Sequence, residues 1–554
     1  MKARPFLAAL LAVAIALLSL GFTAWWLLLQ KGPLALQSQP LHVPLAARFV
    51  PRAAPLSLHW LMAPEQPAAY ARAVAPARQR RGAAATVDRL RDGAFAAAGL
   101  DYASELAPWL GGESSLALLT SPGDQGPAGW VLALRSRDGD GARRFLQRFW
   151  QTRSLAGTDL QISTYRGMGL ISGRGALLGQ TPQPLATALI NDDLVLIASG
   201  RGVLEQALDV SQIDELNQAG DPVLLQAVDR LDHGVALLTA RPAALQRWFG
   251  LDGGAGAPPQ GLQELVAALQ PSGSSLRLDA MARLDAAAPP RSGAAAEPLL
   301  RALQRPARSL VVLSRPAALL AAGGGSPADS GSVSEAPDDP AFAPDPDPWR
   351  QLLGAPLQRA LTQAGGPLPA LVAAAADGPL VWADQPEGWL LATPADSPDL
   401  SAVSPVLAGE GYSLSPLESR GLRLQAWTRL SSRPVKGNPD QLQAELAGAR
   451  SQEGAFAWWG QGLTVLHQQR EGHQPPRDRW IQLEALATPQ APFQWAIDAD
   501  GARELLARWT PWRLLNTLAA TSLTPAVEGA AVSLEADSGT ARDLRLRGLL
   551  QLGA

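Results

Sequence analysis

The chain has 554 residues, of which 47% are apolar and 18% charged, and its formal net charge is −3. A chain of this length and composition can bury more than one hydrophobic core, and its near-neutral charge provides no basic field for nucleic acid. The sequence contains no cysteine, which excludes disulfides, thiolate nucleophiles, Cys-ligated metal centres and a lipoprotein anchor.

The N-terminus carries a long uncharged segment that predicts a membrane-spanning helix. Lys2 and Arg4 lie in a short stub of residues 1–5, and residues 6–29 contain no charge. As a helix, 6–29 would span roughly 36 Å, enough to cross a hydrocarbon core of about 30 Å. It is longer than the apolar core of a cleavable signal and has no small-x-small site, so we expect an uncleaved single-pass anchor, with a cleaved signal as the alternative. The basic stub predicts a cytoplasmic N-terminus and an extracytoplasmic ectodomain, periplasmic or lumenal.

After a juxtamembrane linker, 30–54, the chain alternates between strand-like and helix-like patterns. Short apolar or alternating runs such as SSLALL, DLQISTY and SLRLDAMARL predict strands on a packed sheet. Apolar residues at helical spacing predict helices over 140–150 and over 201–210. The stretch ALINDDLVLIAS predicts two strands joined at Asn191, Asp192 and Asp193, residue types that tolerate turns. Many hairpins with interspersed helices indicate an α+β fold with mainly antiparallel sheets.

Five segments recur at a nearly constant spacing, which predicts a tandem duplication. The pairs are GWVLAL (129–134) with GWLLAT (388–393), SGRG (199–202) with WGQG (459–462), HGVALLTARPAALQRWFG (233–250) with PFQWAIDADGARELLARWTPW (492–512), SLRLDA (275–280) with SLEADS (533–538), and the segments that begin at Ser57 and Ser309. The offset within each pair is about 252 to 260 residues, far longer than a solenoid repeat. We therefore predict two α+β repeats, 55–290 and 308–554.

The second repeat contains a segment rich in Pro, Gly and Ser, residues 323–348. It has six acidic residues and no basic one, and too few apolar residues to form a core. We predict a disordered acidic loop. The alternative is that this segment acts as a tail that binds a partner.

The segment LDYASELAPWLGGESSLALL (100–119) carries a family resemblance when it is taken together with the anchor and the duplicated ectodomain. The most characteristic residues are Leu100, Asp101, Pro108, Trp109, Leu110 and Gly111. They resemble the bacterial family known as domain of unknown function three-three-five-two, over residues 55 to about 550. The second repeat lacks this motif. The resemblance implies a membrane-anchored envelope protein and supplies no activity.

Few residues are candidates for a catalytic, metal-binding or ligand-binding role. The five histidines, His42, His59, His233, His467 and His473, show no metal-binding spacing. The DADG at 498–501 starts like a calcium loop, but Trp509 stands where the bidentate Glu is required, so a turn and helix N-cap is the better interpretation. The glycine-rich 167–179 lacks the context of a phosphate cradle, and we interpret it as a hairpin. The arginine cluster at 78–93 is interpreted as a solvated helix face rather than a headgroup site.

The sequence therefore assigns no catalytic, cofactor-binding or metal-ligating residue. Our first hypothesis is a membrane-anchored envelope protein whose ectodomain works by binding, as a scaffold, an assembly factor or a carrier of an apolar ligand between the two halves. The alternative is an extracytoplasmic hydrolase whose Ser, His and acidic residues are dispersed in the sequence. That alternative requires a polar cleft with His59, His233, His467 or His473 beside a Ser and a carboxylate.

Overall fold

A computed structural model of the chain describes residues 32–120, 129–153, 160–175, 182–250, 261–287, 296–314, 316, 354–374, 378–395, 400–432, 442–537 and 539–553. The predicted stub 1–5, membrane-spanning segment 6–29 and acidic loop 323–348 lie outside these residues. None of the helices in the described ranges has both the length and the apolar character needed to cross a membrane. The segment predicted as a linker is described from residue 32, and it forms two short 3-10 helices, Pro33–Ser38 and Leu45–Phe49, that pack on the first half of the fold.

The first half of the chain contains ten strands and six helices among its described residues. The strands are β1 (Leu56–Trp60), β2 (Leu110–Leu119), β3 (Gly129–Ser136), β4 (Gln161–Tyr165), β5 (Met168–Gly175), β6 (Gln183–Ile190), β7 (Leu194–Ala198), β8 (Ala236–Ala240), β9 (Leu262–Ser272) and β10 (Ser275–Leu284). The helices are α1 (Gln66–Val74), α2 (Arg80–Ala97), α3 (Gly139–Arg153), α4 (Arg201–Val210), α5 (Pro222–Leu231) and α6 (Pro242–Phe249). The helices predicted at 140–150 and 201–210 are confirmed as α3 and α4. The predicted turn is confirmed too, because Asn191 and Asp192 adopt positive φ angles of 47° and 61° between β6 and β7.

The second half has a similar inventory in its described residues. Its strands are β11 (Ser309–Leu313), β12 (Leu380–Gln385), β13 (Gly388–Pro394), β14 (Ser413–Ser419), β15 (Leu422–Ser432), β16 (Leu442–Glu453), β17 (Phe456–Gly460), β18 (Phe493–Ile497), β19 (Val527–Ala536) and β20 (Asp543–Leu552). Its helices are α7 (Glu297–Ala302), α8 (Ala355–Ala364), α9 (Leu368–Ala374), α10 (Leu400–Gly409), α11 (Leu463–Glu471), α12 (Arg477–Ala485), α13 (Ala499–Arg508) and α14 (Thr510–Leu518).

All twenty strands belong to one antiparallel sheet. Its spatial order is β4-β5-β6-β7-β3-β2-β1-β8-β9-β10-β20-β19-β18-β11-β12-β13-β17-β16-β15-β14. The halves meet where β10 pairs with β20, from Ser275 opposite Gln551 to Arg283 opposite Asp543. The expected α+β fold with mainly antiparallel strands is therefore present, and the two halves form one continuous sheet rather than two separate globules.

The strand pairings of the two halves follow the same pattern. GWVLAL lies in β3, between β2 and β7, and GWLLAT lies in β13, between β12 and β17. The match of SLRLDA with SLEADS is wrong, because SLRLDA begins β10, the last strand of its half, whereas SLEADS lies at the end of β19, the last strand but one. In sheet position β10 corresponds to β20, and β9 to β19.

Helices cover both faces of the sheet, because alternate side chains of each strand point to opposite sides. We call the side that carries Ser57 and His59 face A; α4, α5, α7, α11 and α12 pack on it. The opposite side, face B, carries Leu56 and Leu58, and α3, α6, α8, α9, α10, α13 and α14 pack on it. Two helical layers around a central sheet therefore supply most of the core.

Arginines and acids take the place of apolar side chains on face A where the halves join. Asp279 of β10 accepts two hydrogen bonds from Arg545 of β20, at 2.9 Å from Nε and 2.6 Å from Nη2. Arg283 pairs in the same way with Asp543, whose side chain is buried. These two-point ion pairs tie β10 to β20 and fix their register.

We predict that Asp279→Ala lowers the free energy of unfolding by about 1–3 kcal/mol, because it leaves the half-buried Arg545 guanidinium without its carboxylate. Urea unfolding followed by circular dichroism measures the change. The control is Glu504→Ala, which removes an exposed pair with Arg508 within one helix and should cost less than about 0.5 kcal/mol. Equal losses in the two variants would contradict a special role for the junction.

Candidate ligand-binding groove

The family-like segment 100–119 fastens the end of α2 to α3. Asp101 accepts hydrogen bonds from the amide and the hydroxyl of Ser104, at 2.7 and 2.6 Å. Glu105 accepts two more from the buried Arg153 of α3, at 2.9 and 3.0 Å, and its carbonyl accepts the indole N–H of Trp109 at 2.7 Å. These bonds are all internal to the protein, so Asp101 and Trp109, two of the most characteristic residues of the segment, have a structural role.

Face B carries a row of partly exposed leucines close to the junction of the halves. Leu116, Leu58 and Leu238 lie opposite one another on β2, β1 and β8, and Leu269 lies opposite Leu278 on β9 and β10. Leu58, Leu116 and Leu278 are 40%, 42% and 37% exposed, although each of their strands has a neighbour on both sides. We call these five side chains the leucine floor.

Two helices from different halves, α2 and α14, pack on face B on either side of the leucine floor. The end of α2 packs through Phe95 on the cluster that contains Leu134 of β3, and α14 packs through Trp512 on the cluster that contains Leu550 of β20. The strands between β3 and β20 are β2, β1, β8, β9 and β10, which include all the strands of the floor. The distance from β3 to β20 is six strand spacings, or roughly 29 Å. The helices α2 and α14 placed end to end are roughly 40 Å long, so together they are long enough to span it. We infer from this arrangement that a groove with apolar side chains on its sheet side lies between the floor and the two helices.

The contact between α2 and α14 is made by backbone. A Cβ added to Gly93 would lie only 1.9 Å from the carbonyl oxygen of Leu518, so only glycine allows this approach. Beside the contact there is a cavity of about 360 Å³. It is lined by α2, by the start of the family-like segment and by the end of α14: Arg89, Asp92, Gly93, Ala96, Leu100, Asp101, Tyr102, Ala103, Leu518 and Ala520.

On face A, directly behind the floor, β1 carries a buried polar network. Ser57 Oγ lies 3.0 Å from His59 Nε2 and 2.7 Å from Thr239 Oγ1, and it donates to Gln218 Oε1 at 3.0 Å. Ser115 Oγ lies 2.9 Å from His59 Nδ1. Burial lowers the pKa of His59 to about 4, against a hydrogen bond with Gln218 that raises it, so the ring is neutral at physiological pH. The network satisfies the buried polar groups of β1 and holds this strand in place.

The structure does not bring the other histidines to this network. His467 lies near Ser419 Oγ at 3.1 Å, His233 lies beside Asp232 at 2.9 Å, and His42 and His473 are exposed. Among the described residues no carboxylate hydrogen-bonds to His59, and the pair of Ser57 and His59 is fully buried. The described residues contain no group of three or more His, Asp or Glu side chains that could hold a metal ion.

The remaining candidates from the sequence have structural positions. Asp498 accepts the amide hydrogen of Gly501 at 2.9 Å, which confirms the predicted N-cap of α13. Residues 167–175 of the glycine-rich stretch form the β4–β5 turn and β5, as the hairpin interpretation predicts, and 176–179 lie outside the described residues. The arginine-rich 78–93 forms most of α2, and the sequence pattern could not show that Gly93 within it is a contact point between the halves.

We predict that Gly93→Ala separates α2 from α14, because the new methyl group has no space beside Leu518. Hydrogen exchange of residues 510–518 should become faster, by about tenfold. Gly82→Ala is the matched control: it lies in the same helix with nothing within 4 Å of an added Cβ, so it should leave exchange in α14 unchanged and stabilise α2 by about 0.5–1 kcal/mol. Unchanged exchange in Gly93→Ala would show that the two helices do not meet as described.

We predict that His59 makes the fold less stable in acid. Its folded-state pKa, about 4, lies below the ordinary value of 6.5, so on acidification the unfolded chain takes up a proton before the folded one does. Stability from His59 is therefore lost as the pH falls from about 6.5 to 4, by up to roughly 3 kcal/mol. Urea midpoints of the wild type and of His59→Gln measured across this range should show a smaller slope in the variant. The exposed His473→Gln should keep the wild-type slope, and a wild-type slope in His59→Gln would contradict the prediction.

Comparison with known proteins identifies a family and no activity. No curated protein matches the chain. Among solved structures, crystal forms III, I and IV of TP0453 are similar, at 9%, 8% and 9% sequence identity over 47%, 44% and 45% of this chain and 87%, 80% and 83% of that chain. Their TM-scores of 0.26, 0.25 and 0.24 are too low to support any inference. A family model described as "Protein of unknown function (DUF3352)" matches residues 10–552, so the chain belongs to this family, as the resemblance of its 100–119 segment predicts.

Proposed function

We propose that this protein is a membrane-anchored, extracytoplasmic binding protein that holds an apolar ligand against the leucine floor. The anchor would be the uncharged segment 6–29, with the basic stub 1–5 in the cytoplasm and the sheet on the other side of the membrane. The ligand would lie between face B and the helices α2 and α14, which come from different halves.

The observation that carries the proposal is the exposure of leucines on interior strands of the sheet. Complete burial of a leucine side chain contributes about 1.5–3 kcal/mol, so each side chain left about 40% exposed forfeits roughly 1 kcal/mol. Leu58, Leu116 and Leu278 all lie where a covering helix could have packed directly on the sheet. An apolar ligand would recover this energy. All three side chains lie on one face of the sheet, so a single ligand could contact them together.

The matching strand pairings support a second part of the proposal, that the two halves arose by duplication of one α+β unit. In both halves the first strand pairs with the second and the eighth strand, and the last strand of each half forms the junction. The floor lies on strands of the first half, and α14 of the second half would cover part of it. Neither half alone would enclose the ligand.

The alternative of a hydrolase finds less support. It requires a nucleophile, a base and an acid that substrate can reach, whereas Ser57 and His59 are fully buried and no carboxylate hydrogen-bonds to the ring. The apolar side chains of the groove can bind a ligand but supply no catalytic group, so the proposal does not include catalysis.

The test is photo-crosslinking of the full-length protein, in lipid nanodiscs, with a diazirine-bearing long-chain fatty acid, followed by peptide mapping. We expect the labels on peptides from β1, β2, β10 and α2. Leu116→Arg and Leu278→Arg should each reduce this labelling by at least about tenfold, because a ligand on the floor would have to bury the new charge.

Leu225→Arg is the matched control, since Leu225 is 44% exposed on α5, on the opposite face of the sheet. It should keep wild-type labelling of the floor peptides, and urea midpoints would show that all three variants are folded. Equal labelling in the floor variants and the control would overturn the proposal. If the floor variants alone lose labelling, native mass spectrometry of the protein extracted from its own membrane gives the mass of the natural ligand.

A further inference from the structure

A second apolar surface lies outside the groove, on helices α6, α13 and α14. Four of the large apolar side chains that are more than a third exposed lie on these helices or between α13 and α14: Trp248 (47%), Leu505 (49%), Trp509 (36%) and Leu514 (55%). We call these four side chains the interfacial patch. Each of the three helices also packs on the core, through Leu245, Ala502 and Trp512.

The three helices are held together as one surface. Trp509, which joins α13 to α14, donates its indole N–H to the carbonyl of Phe249 at the end of α6, at 2.8 Å. The rings of Phe249 and Trp509 are also in contact, with centroids 6.3 Å apart. Leu505 precedes Trp509 by one helical turn, and Trp248 precedes Phe249 by one residue. A contact between residues 260 positions apart in the chain thus assembles the patch.

Arginine is the dominant charged residue around the patch. The three helices contain Arg247, Arg503, Arg508 and Arg513 against Asp500 and Glu504; four arginines against two acids leave a formal charge of +2. Neither α6 nor α14 contains an acidic residue, and their arginines, Arg247 and Arg513, are exposed. The two arginines of α13 form ion pairs within that helix, Arg503 with Asp500 and the exposed Arg508 with Glu504. Exposed tryptophan and leucine side chains next to arginines are the residue types expected at a bilayer surface. Aromatic rings lie there at the level of the lipid headgroups, and cations contact anionic lipid.

We propose that the interfacial patch docks on the surface of an anionic lipid bilayer. Trp248, Trp509, Leu505 and Leu514 enter the headgroup region, and the exposed arginines contact lipid phosphates. This contact is separate from the proposed anchor, residues 6–29, and does not depend on a ligand in the groove. Helix α14 carries part of the patch and also forms one side of the groove. Docking therefore places the groove next to lipid.

The absence of native cysteine allows a single probe to be placed on the patch. The full-length chain is held in nanodiscs of neutral phosphatidylcholine, with Leu514→Cys labelled by an environment-sensitive fluorophore, and vesicles are then added. We expect a blue shift and at least a twofold gain in emission with vesicles containing 30% phosphatidylglycerol, and a much smaller change with phosphatidylcholine alone. Salt at about 0.5 M should weaken the effect, because it screens the arginines. The labelled control Leu225→Cys, of similar exposure on face A, should not respond.

A matched pair of double variants tests the same surface without a label, by co-flotation of the nanodisc-held protein with anionic vesicles. Trp248→Glu with Leu514→Glu should reduce flotation at least about fivefold. Leu225→Glu with Ile481→Glu adds the same charge at side chains 44% and 55% exposed on α5 and α12, and it should float like the wild type. The proposal is overturned if both doubles lose flotation equally, if the label responds equally to neutral vesicles, or if it responds to neither. These readouts report lipid contact alone, so their failure leaves the crosslinking test of the groove unaffected.

Discussion

The pairing of β10 with β20 is the interaction on which the rest of the molecule depends. It joins ten strands from each half into a single sheet, and the ion pairs of Asp279 with Arg545 and of Arg283 with Asp543 fix its register. A one-residue slip would move these charged side chains to face B, among the leucines. Only because this register holds can α14, from the end of the chain, reach α2 from near its beginning. The groove and the interfacial patch both follow from that meeting.

Two kinds of surface result, and their chemistry differs. On face A, behind the floor, the polar groups of Ser57, His59, Ser115, Gln218 and Thr239 satisfy one another and are closed to solvent. On face B the side chains of the same strands are apolar and incompletely covered. A rigid polar network behind an open apolar face is the arrangement expected of a preformed binding site, in which the strand that carries the ligand contact must not move. The polar residues of β1 therefore hold the leucine floor in position from the opposite face of the sheet.

Local patterns in the sequence were sufficient to predict much of the fold. Helical spacing predicted α3 and α4, the Asn191–Asp193 turn was predicted from residue types that tolerate positive φ, and the recurring hexapeptides predicted that β3 and β13 occupy equivalent places. The pairing of SLRLDA with SLEADS failed because both hexapeptides begin with Ser-Leu and then mix charged residues with leucine or alanine, so local composition alone allows a slip by one strand. The groove could not be predicted at all: it requires Gly93 to meet Leu518, more than 400 positions away, and nothing local to either residue signals that contact.

The single junction also determines what a truncated chain would be. Residues 55–290 on their own would end in β10, a ten-residue strand whose outer edge would have no partner, and the second half would expose β20 in the same way. Long unpaired edges recruit strands from other molecules, so each half would be prone to pair with its own copies. Loss of the second half would thus yield an aggregating species rather than a protein with half the activity. The two halves are therefore inseparable once β10 has paired with β20.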